Sequence, residues 1–501
     1  MMAAASKYAK SLPPGPRTPP SLQMLRWIRE PFAMMSDCRS RFGDAFTLNL
    51  PALPHPVVLV ADPLAVKDVF ALGSDQGHAG KANAVLKPLV GEHSLLLLDG
   101  AEHLRQRKMI LPAFHGERMH GYGRAMMDLT HESIDRWPVG TPFAVHKKMQ
   151  AVTLQVILRT IFGMEAGPRF VELAELLTSA LDIATHPLLL LPLLQRDLGR
   201  LSPWGRFLRI YEQSSRILRA EIRRGRQAGT TGRTDVLAMM LDARDEAGQP
   251  LSEDEVHDEL VTLLIAGHET TATALAWTLR WLLPDADRLG RLREELASAG
   301  GNPQRVAKLA LLDATVKEAL RLQPVVPLVG RLLVEPATFG EVELPANTFV
   351  APAIYLVHRR PSLYPEPACF RPERFLDDGT SAAAPQRDHT KTDGTSAAAP
   401  QRGHTKKDAT SAAAPQRGPT KVAPWEWLPF GGGMRKCVGA AFAMYEMKMA
   451  LASILPRVEM RLASERVRVV RRGVTMAPSK GLPVVVTAKR PREASGARVA
   501  A

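Results

Sequence analysis

The residues best suited to chemistry lie near the C-terminus, in WLPFGGGMRKCVG, residues 427–439. Its skeleton is Phe430, Gly433, Cys437 and Gly439, a pattern expected by chance in about one chain of this length and composition in two thousand. A cysteine that ligates a metal must be a thiolate, and a thiolate wants backbone N–H donors and a helix N-terminus behind it. Glycines let the backbone curl close enough to present those donors. Phe430 can shield the sulfur from water. The competing reading is an inert buried cysteine after a glycine turn.

Three other groups stand out. Glu318 and Arg321, in LDATVKEALRLQP, lie one helical turn apart, and Arg374 follows in PERF. The same ExxR spacing recurs at Glu102/Arg105, Glu221/Arg224 and Glu465/Arg468, so by itself it describes an ordinary ion pair on a helix face. Glu269 and Thr270, in AGHETT, offer an acid beside an alcohol, a pair able to move protons. The alternative for Thr270 is a hydroxyl bonded back to a carbonyl one turn earlier. His103 and Arg107, in HLRQR, fall on one face of a helix. His268 reads as helix packing, and no HExxH zinc pattern occurs.

These groups need elements to hold them. Ser252 with Glu255 forms a capping box, and the apolar pattern that follows runs to about Leu283, before Pro284. About thirty residues at ~1.5 Å each would cross a whole domain, so this is a central helix with Gly267 in its middle. Gly267 costs about 1 kcal/mol relative to alanine and needs a reason, such as a kink or a close ligand. A last helix is predicted from Cys437 to about Leu455, giving the thiolate a helix dipole. Residues 102–226 read as mostly helical, and Ser21–Phe42 as helix interrupted at Pro31. Ala45–Leu50 with Pro56–Val60 reads as a hairpin, and short β runs fill 323–375. Val467–Val470 and Leu482–Thr487 close the fold. The expected class is mainly α with a smaller β region.

The domain plan has a proline-rich arm over residues 1–20, a main domain over 21–489 and a tail over 490–501. Within the main domain, residues 378–420 carry TSAAAPQR three times at a strict period. Each unit is small and polar with nothing to bury, so the reading is a disordered surface insertion. Pro187–Leu194 is an apolar loop, either buried or lining the entrance for a greasy ligand.

Composition narrows the classes. Of 501 residues 45% are hydrophobic, enough for a large core without staples. Three cysteines, Cys38, Cys369 and Cys437, cannot build a disulfide framework. No apolar run approaches the ~20 residues of a membrane span, and the first dozen lack a secretory signal's apolar core. A cytoplasmic location is expected. Lys plus Arg exceed Asp plus Glu by 65 − 51 = 14, but the basic residues are spread out and not interleaved with aromatics. Nucleic acid is therefore not expected as a partner.

With the cysteine loop, the ExxR helix, PERF and AGHETT all present, the chain resembles the cytochrome P450 family over about Pro13 to Lys489. LLLLDGAEHLRQRKMILPAFHGERM further resembles a bacterial subgroup associated with fatty acids and terpenoids. The resemblance implies the P450 fold, with haem b between the long helix and the loop and Cys437 as iron ligand. It implies Phe430, Gly433 and Gly439 as parts of the haem loop, and His103, Arg107, Arg331 and Arg435 as contacts to the propionates. It makes Glu318, Arg321 and Arg374 a buried structural network, and Glu269 and Thr270 a proton relay. Substrate contacts in the family layout would be Ala82, Leu86, Leu89, Ala266, Thr270, Val325, Val326, Val329, Met476 and Ala477, mostly apolar. The implied activity is insertion of one oxygen atom from dioxygen into an apolar fatty acid or terpenoid. Too little chain follows Cys437 for a flavin reductase, so a ferredoxin or flavodoxin with its reductase would supply electrons to a monomer. Two rivals are a peroxide-using or isomerising enzyme of the same fold, and a haem sensor without catalysis. The insertion at 378–420 departs from the family pattern by roughly forty residues, at little cost in loop closure.

Overall fold

The computed structural model describes residues 12–376 and 422–492, apart from 52, 54, 115–116, 165–166, 185–194, 198 and 200–201. The repeats at 378–420 and the apolar loop at 187–194 lie outside the described residues.

The organising element is the helix Glu253–Leu282. Its start is the expected capping box: the Glu255 amide donates to Ser252 Oγ at 3.1 Å, and the Ser252 amide donates to Glu255 Oε2 at 2.7 Å. At ~1.5 Å per residue it is about 45 Å long. Leu260, Leu264, Leu275, Leu279 and Leu282 are buried in the main apolar core. The helices Val145–Thr160, Pro203–Ala228, Ala310–Leu322 and Ala440–Arg457 surround it. Its buried residues also include Asp258, Glu259, His268 and Glu269, so it is not apolar all round.

Five strands form the principal sheet in the order Ala45–Leu48, Val57–Val60, Phe349–Pro352, Arg331–Leu333, Gly77–His78. The first two make the expected antiparallel hairpin, with Ala45 opposite Val60, while Val57–Val60 runs parallel to Phe349–Pro352. Side chains alternate between faces. Leu59, Phe349 and Ala351 pack with Trp27, Met35, Ala82 and Met476. Val58, Val60, Val350 and Leu333 pack with Val66, Phe70 and Leu428 on the other face. Arg331 shares the Leu333 face and lies 6.0 Å from the Phe70 ring. Closing strands run over Val469–Arg472, Thr475–Pro478 and Pro483–Lys489; the first and last are each shifted C-terminally from their expected bounds.

Two expectations about helix starts are corrected. The first helix begins at Pro20, one residue before the expected Ser21 and inside the proline-rich arm. Proline is tolerated at the first helical position, where its missing N–H would be unpaired anyway. The C-terminal helix begins at Ala440 and not at Cys437. Lys436 is extended (φ −56°, ψ 139°), and Gly439 takes the N-cap place.

Candidate functional site

The cysteine loop is set by glycines with left-handed backbone. Gly431 and Gly433 have φ of 66° and 63°. A Cβ on Gly433 would lie 1.9 Å from the Phe70 carbonyl oxygen, so only glycine fits there. The turn Gly433–Arg435 then lets the Cys437 amide donate back to Phe430 O at 2.9 Å. The Phe430 ring meets Trp427 edge-on at 6.0 Å, and Trp427 Nε1 donates to Lys317 O. Cys437 presents accessible surface although protein surrounds it on most sides, so that surface faces an interior cleft. Burial pushes its thiol pKa up, while the Gly439 amide, Arg107 and Lys436 pull it back. Among the described residues the amide that acts on the sulfur is that of Gly439, just ahead of the helix.

Behind the loop sits a buried ion-pair network. Arg321 and Glu318 are fully enclosed, with Arg321 Nε and Nη2 donating to the two carboxylate oxygens at 2.6 and 2.7 Å. Arg321 also donates to the carbonyls of His358, Pro367 and Cys369. Glu318 further accepts Arg374 Nε at 3.1 Å and the Arg371 amide at 2.9 Å. Every guanidinium nitrogen of Arg321 therefore has a partner, the condition under which a buried charge pair is tolerable.

His358, absent from the sequence reading, joins this network to the loop. Its Nε2 accepts the Leu428 amide at 2.8 Å, and its Nδ1 lies 3.2 Å from Arg321 O. An acceptor Nε2 places the proton on Nδ1, which donates to that carbonyl. Burial first, then Arg321, holds the imidazole down at about 3, so it is neutral. The folded state thus binds fewer protons than the unfolded chain below the ordinary histidine pKa of ~6.5. This share of stability is full above about pH 6.5 and is lost as pH falls toward about 3. His358→Gln keeps an acceptor without the titration. Urea midpoints at pH 7 and pH 5 are expected to differ less in the variant, by roughly 1 kcal/mol per pH unit. An unchanged difference would refute the assignment.

Four basic groups gather beside the loop. Arg435 donates to Asp99 Oδ1 at 2.6 Å and to the carbonyls of Leu95 and Leu98. Arg107 donates to Lys436 O at 2.7 Å, and buried Arg331 to Gly330 O at 2.8 Å. Burial, then repulsion from Arg435, lowers the Arg331 pKa to about 10. His103 is buried with no partner for Nδ1 among the described residues, and burial with Arg435, Arg107 and Arg331 holds it down at about 3. The carboxylate bonded to this group, Asp99, also accepts the amides of Gly80 and Lys81. Three guanidiniums and an orphaned imidazole around one engaged carboxylate fit a ligand carrying two acidic groups. Haem, with two propionates and an iron for Cys437, meets that description.

The family model named Cytochrome P450 matches residues 13–482. The chain belongs to the cytochrome P450 family. It is 36% identical to cytochrome P450 135B1 of Mycobacterium tuberculosis, covering 96% of this chain and 92% of that one. It is 33% identical to cytochrome P450 135A1 of the same species, covering 95% of each. A retinoic-acid-bound cyanobacterial CYP120A1 shares the fold with a TM-score of 0.76 at 24% identity, over 95% of this chain and 99% of that one. Members of the family are haem-thiolate monooxygenases that bind haem b. No described helix of this P450 is long and apolar enough to cross a membrane.

In this P450 the long helix is interrupted in its burial at Ala266, Gly267 and Thr270, between buried Leu264 and Thr271. A Cβ on Gly267 would approach Ile157 Cδ1 at 3.1 Å, so the glycine serves close helix packing. Thr270 Oγ1 donates to the Ala266 carbonyl one turn earlier, the back-bonded arrangement open to any helical threonine. That bond uses the hydroxyl proton and leaves the oxygen's lone pairs as acceptors. Glu269 turns away, accepting Gln150 Nε2 at 2.6 Å, Arg472 Nε at 3.2 Å and Thr273 Oγ1 at 3.3 Å. His146 Nε2 is 3.6 Å away. Burial raises the Glu269 pKa and Arg472 opposes it. Among the described residues no hydrogen bond joins Glu269 to Thr270. His268 packs against Thr153 at 3.3 Å, as expected.

The family-layout substrate residues divide by environment. Leu86 and Leu89 pack in one apolar cluster with Phe207 and Ile265. Ala82 and Met476 share another, and Ala477 is fully buried. Val325 is buried, its carbonyl accepting the Met476 amide at 2.8 Å. Val326 and Val329 are half-buried.

Proposed function

We propose that Cys437 is the thiolate ligand and that this P450 oxygenates an apolar fatty acid or terpenoid. The observation that carries the reading is Cys437, held by the Gly439 amide and facing an interior cleft, beside the group of His103, Arg107, Arg331 and Arg435. His103 Nδ1 is the atom that gains a partner from a propionate. When bound, haem supplies dioxygen activation and the oxidising power for C–H bonds. The chain's own groups do the rest. Arg435 and Arg331 neutralise the acid groups, and the Gly439 amide moderates the thiolate charge. Thr270 offers hydroxyl lone pairs as an acceptor, and Glu269, one position away with its pKa raised by burial and opposed by Arg472, is the carboxyl that would pass protons on. Apolar Ala266, Leu86, Leu89, Val326 and Val329 exclude water and favour an apolar substrate.

Titration of the ferric protein with palmitic acid and with a cyclic terpene tests this reading through the haem spin state. A saturable shift with one class is the expected result. No shift with either, in a protein that still shows the reduced thiolate-type carbon monoxide band, would overturn the substrate assignment.

We further infer a cytoplasmic monomer reduced by an acidic ferredoxin or flavodoxin served by its own reductase. Exposed Lys436 beside Cys437, and Lys67 over the Trp425 ring at 5.1 Å, give that side of the molecule positive charge. The reduction rate is expected to fall as salt rises, and a rate indifferent to ionic strength would sink the idea.

A further inference from the structure

The long helix is clamped to the segment just ahead of the HLRQR helix. The Leu95 amide donates to Glu259 Oε2 at 3.0 Å, the His93 amide to Asp258 Oδ2 at 3.0 Å, and Ser94 Oγ lies 2.7 Å from Thr262 Oγ1. Gln106 of the HLRQR helix completes the clamp, its Nε2 donating to His93 O at 2.8 Å and to Glu259 Oε2 at 3.3 Å. The same segment also holds Arg435, whose guanidinium donates to the carbonyls of Leu95 and Leu98. Glu259 and Gln106 are buried, yet Glu259 Oε1 and Gln106 Oε1 have no donor among the described residues. Two stranded acceptors on groups already bonded through their other ends are costly. Turning the amide over does not help, since it would set Gln106 Oε1 against the His93 carbonyl. A proton on Glu259 does help. An acid and an amide can pair twice, N–H to one carboxyl oxygen and O–H back to the amide oxygen. Burial favours that form and pushes the Glu259 pKa up to about 7, with the Leu95 amide and Gln106 pulling it down and Asp258 adding repulsion. Among the described residues no cation pairs with Glu259. Arg105 pairs with Asp245 and Glu255, His257 with Asp258, and the His93 ring is exposed. His103 feels Arg435, Arg107 and Arg331, and Arg435 reaches Glu259 only through Leu95.

We propose that a proton shared between Glu259 and Gln106 locks residues 93–98 onto the long helix, and that these two side chains thereby act as positioning residues for Arg435. This rests on the reading of Arg435 as a contact to a haem propionate and extends it to groups that touch neither haem nor substrate. When Glu259 ionises, its carboxylate stays buried beside Asp258 with one oxygen unpaired, and opening the segment to water relieves that charge. The pKa in the closed form lies above the ordinary carboxylate value of ~4.3. Opening is therefore rarest below that value and grows as pH rises through about 7.

Hydrogen exchange of the Leu95 amide in the holoprotein, corrected for the intrinsic rate, is expected to show about tenfold more opening at pH 8 than at pH 6. Haem transfer to excess apomyoglobin should quicken over the same interval. Glu259→Gln keeps the double pairing without the titration, its amide donating to Gln106 Oε1. Both pH responses should flatten in that variant, with the pH 6 values kept. In the parent, the infrared C=O stretch of a protonated carboxylic acid should weaken between pH 6 and pH 8, a change absent from the variant. No such change in the parent, or equal opening ratios in parent and variant, would overturn the proposal. A Leu95 amide that responds to pH while haem transfer stays flat would confirm the lock and overturn the propionate reading of Arg435, so the two can fail separately.

Discussion

Arg321→Ala is expected to destabilise the protein by roughly 3–5 kcal/mol, because it strands a buried carboxylate. In the intact protein Glu318 accepts two bonds from Arg321, one from Arg374 and one from the Arg371 amide. Removing the guanidinium leaves Arg374 as the sole cation bonded to that carboxylate among the described residues. It also unpairs the carbonyls of His358, Pro367 and Cys369, each at about 1–3 kcal/mol if no water replaces the donor. The Arg321 guanidinium also lies 4.8 Å from the Tyr364 ring, and alanine forfeits that cation–π attraction as well. The damage should travel to the cysteine loop. Arg321 holds the His358 carbonyl, and the His358 ring holds the Leu428 amide at the loop's entry. Haem content per folded chain should therefore fall along with the urea midpoint. The double variant Glu318→Leu with Arg321→Met should recover part of the stability, since the buried pair is removed together, while Arg374, left without its carboxylate, and the three carbonyls keep it below the parent. A loss under about 1 kcal/mol for the single variant would mean that water fills the site and the network is dispensable.

The fate of the other ExxR spacings explains what could be read from the sequence. Glu221 and Arg224 form the ordinary helix-face pair, at 2.7 Å with Arg224 half exposed. Arg105 ignores Glu102 and pairs with Asp245 and Glu255. Spacing alone therefore says only that two side chains share a face. Glu318 and Arg321 were separable from the rest because PERF and the cysteine loop follow them in order. The loop itself was legible because its demands are local: left-handed glycines, a turn, and a cysteine at a fixed offset. His358, Gln150 and Arg472 were not. Each acts through partners far along the chain, as when Arg472 reaches Glu269 across 203 positions, and no local pattern marks such a residue. Thr270 shows the converse limit. Its type and place suited a relay, yet the hydrogen its hydroxyl carries is bonded to Ala266 O, a choice that helix geometry offers every threonine. The last helix starts only at Ala440 because Lys436 and Cys437 complete the glycine turn first.

Cys437→His is expected to abolish the thiolate-type carbon monoxide band of the reduced protein and to lower oxygenation at least about a thousandfold. The effect should be chemical and not structural. The Cys437 side chain faces the cleft, and its polar partner is the Gly439 amide, so little packing changes. Backbone bonds define the loop's shape: the Cys437 amide to Phe430 O, and the Lys436 amide to Gly433 O. Neither depends on the side chain. The urea midpoint should therefore change by no more than about 1 kcal/mol, within the range for substitutions that leave core packing alone. On the proposed assignment Arg435, Arg331, Arg107 and His103 would still hold haem, and an imidazole can still ligate iron, so the variant should bind haem and give a histidine-type spectrum. Thiolate donation is what the substitution removes, and with it the push that favours cleavage of the O–O bond. Gly433→Ala supplies the contrasting case. There the Cβ meets the Phe70 carbonyl at 1.9 Å on a backbone with φ of 63°, so the loop must move, and stability and haem content should drop together. If Cys437→His kept the thiolate-type band, another sulfur would have to be the ligand. The remaining cysteines argue against that: Cys38 is buried in the apolar cluster under the first sheet, and Cys369 belongs to the Glu318 network, its carbonyl bonded to Arg321.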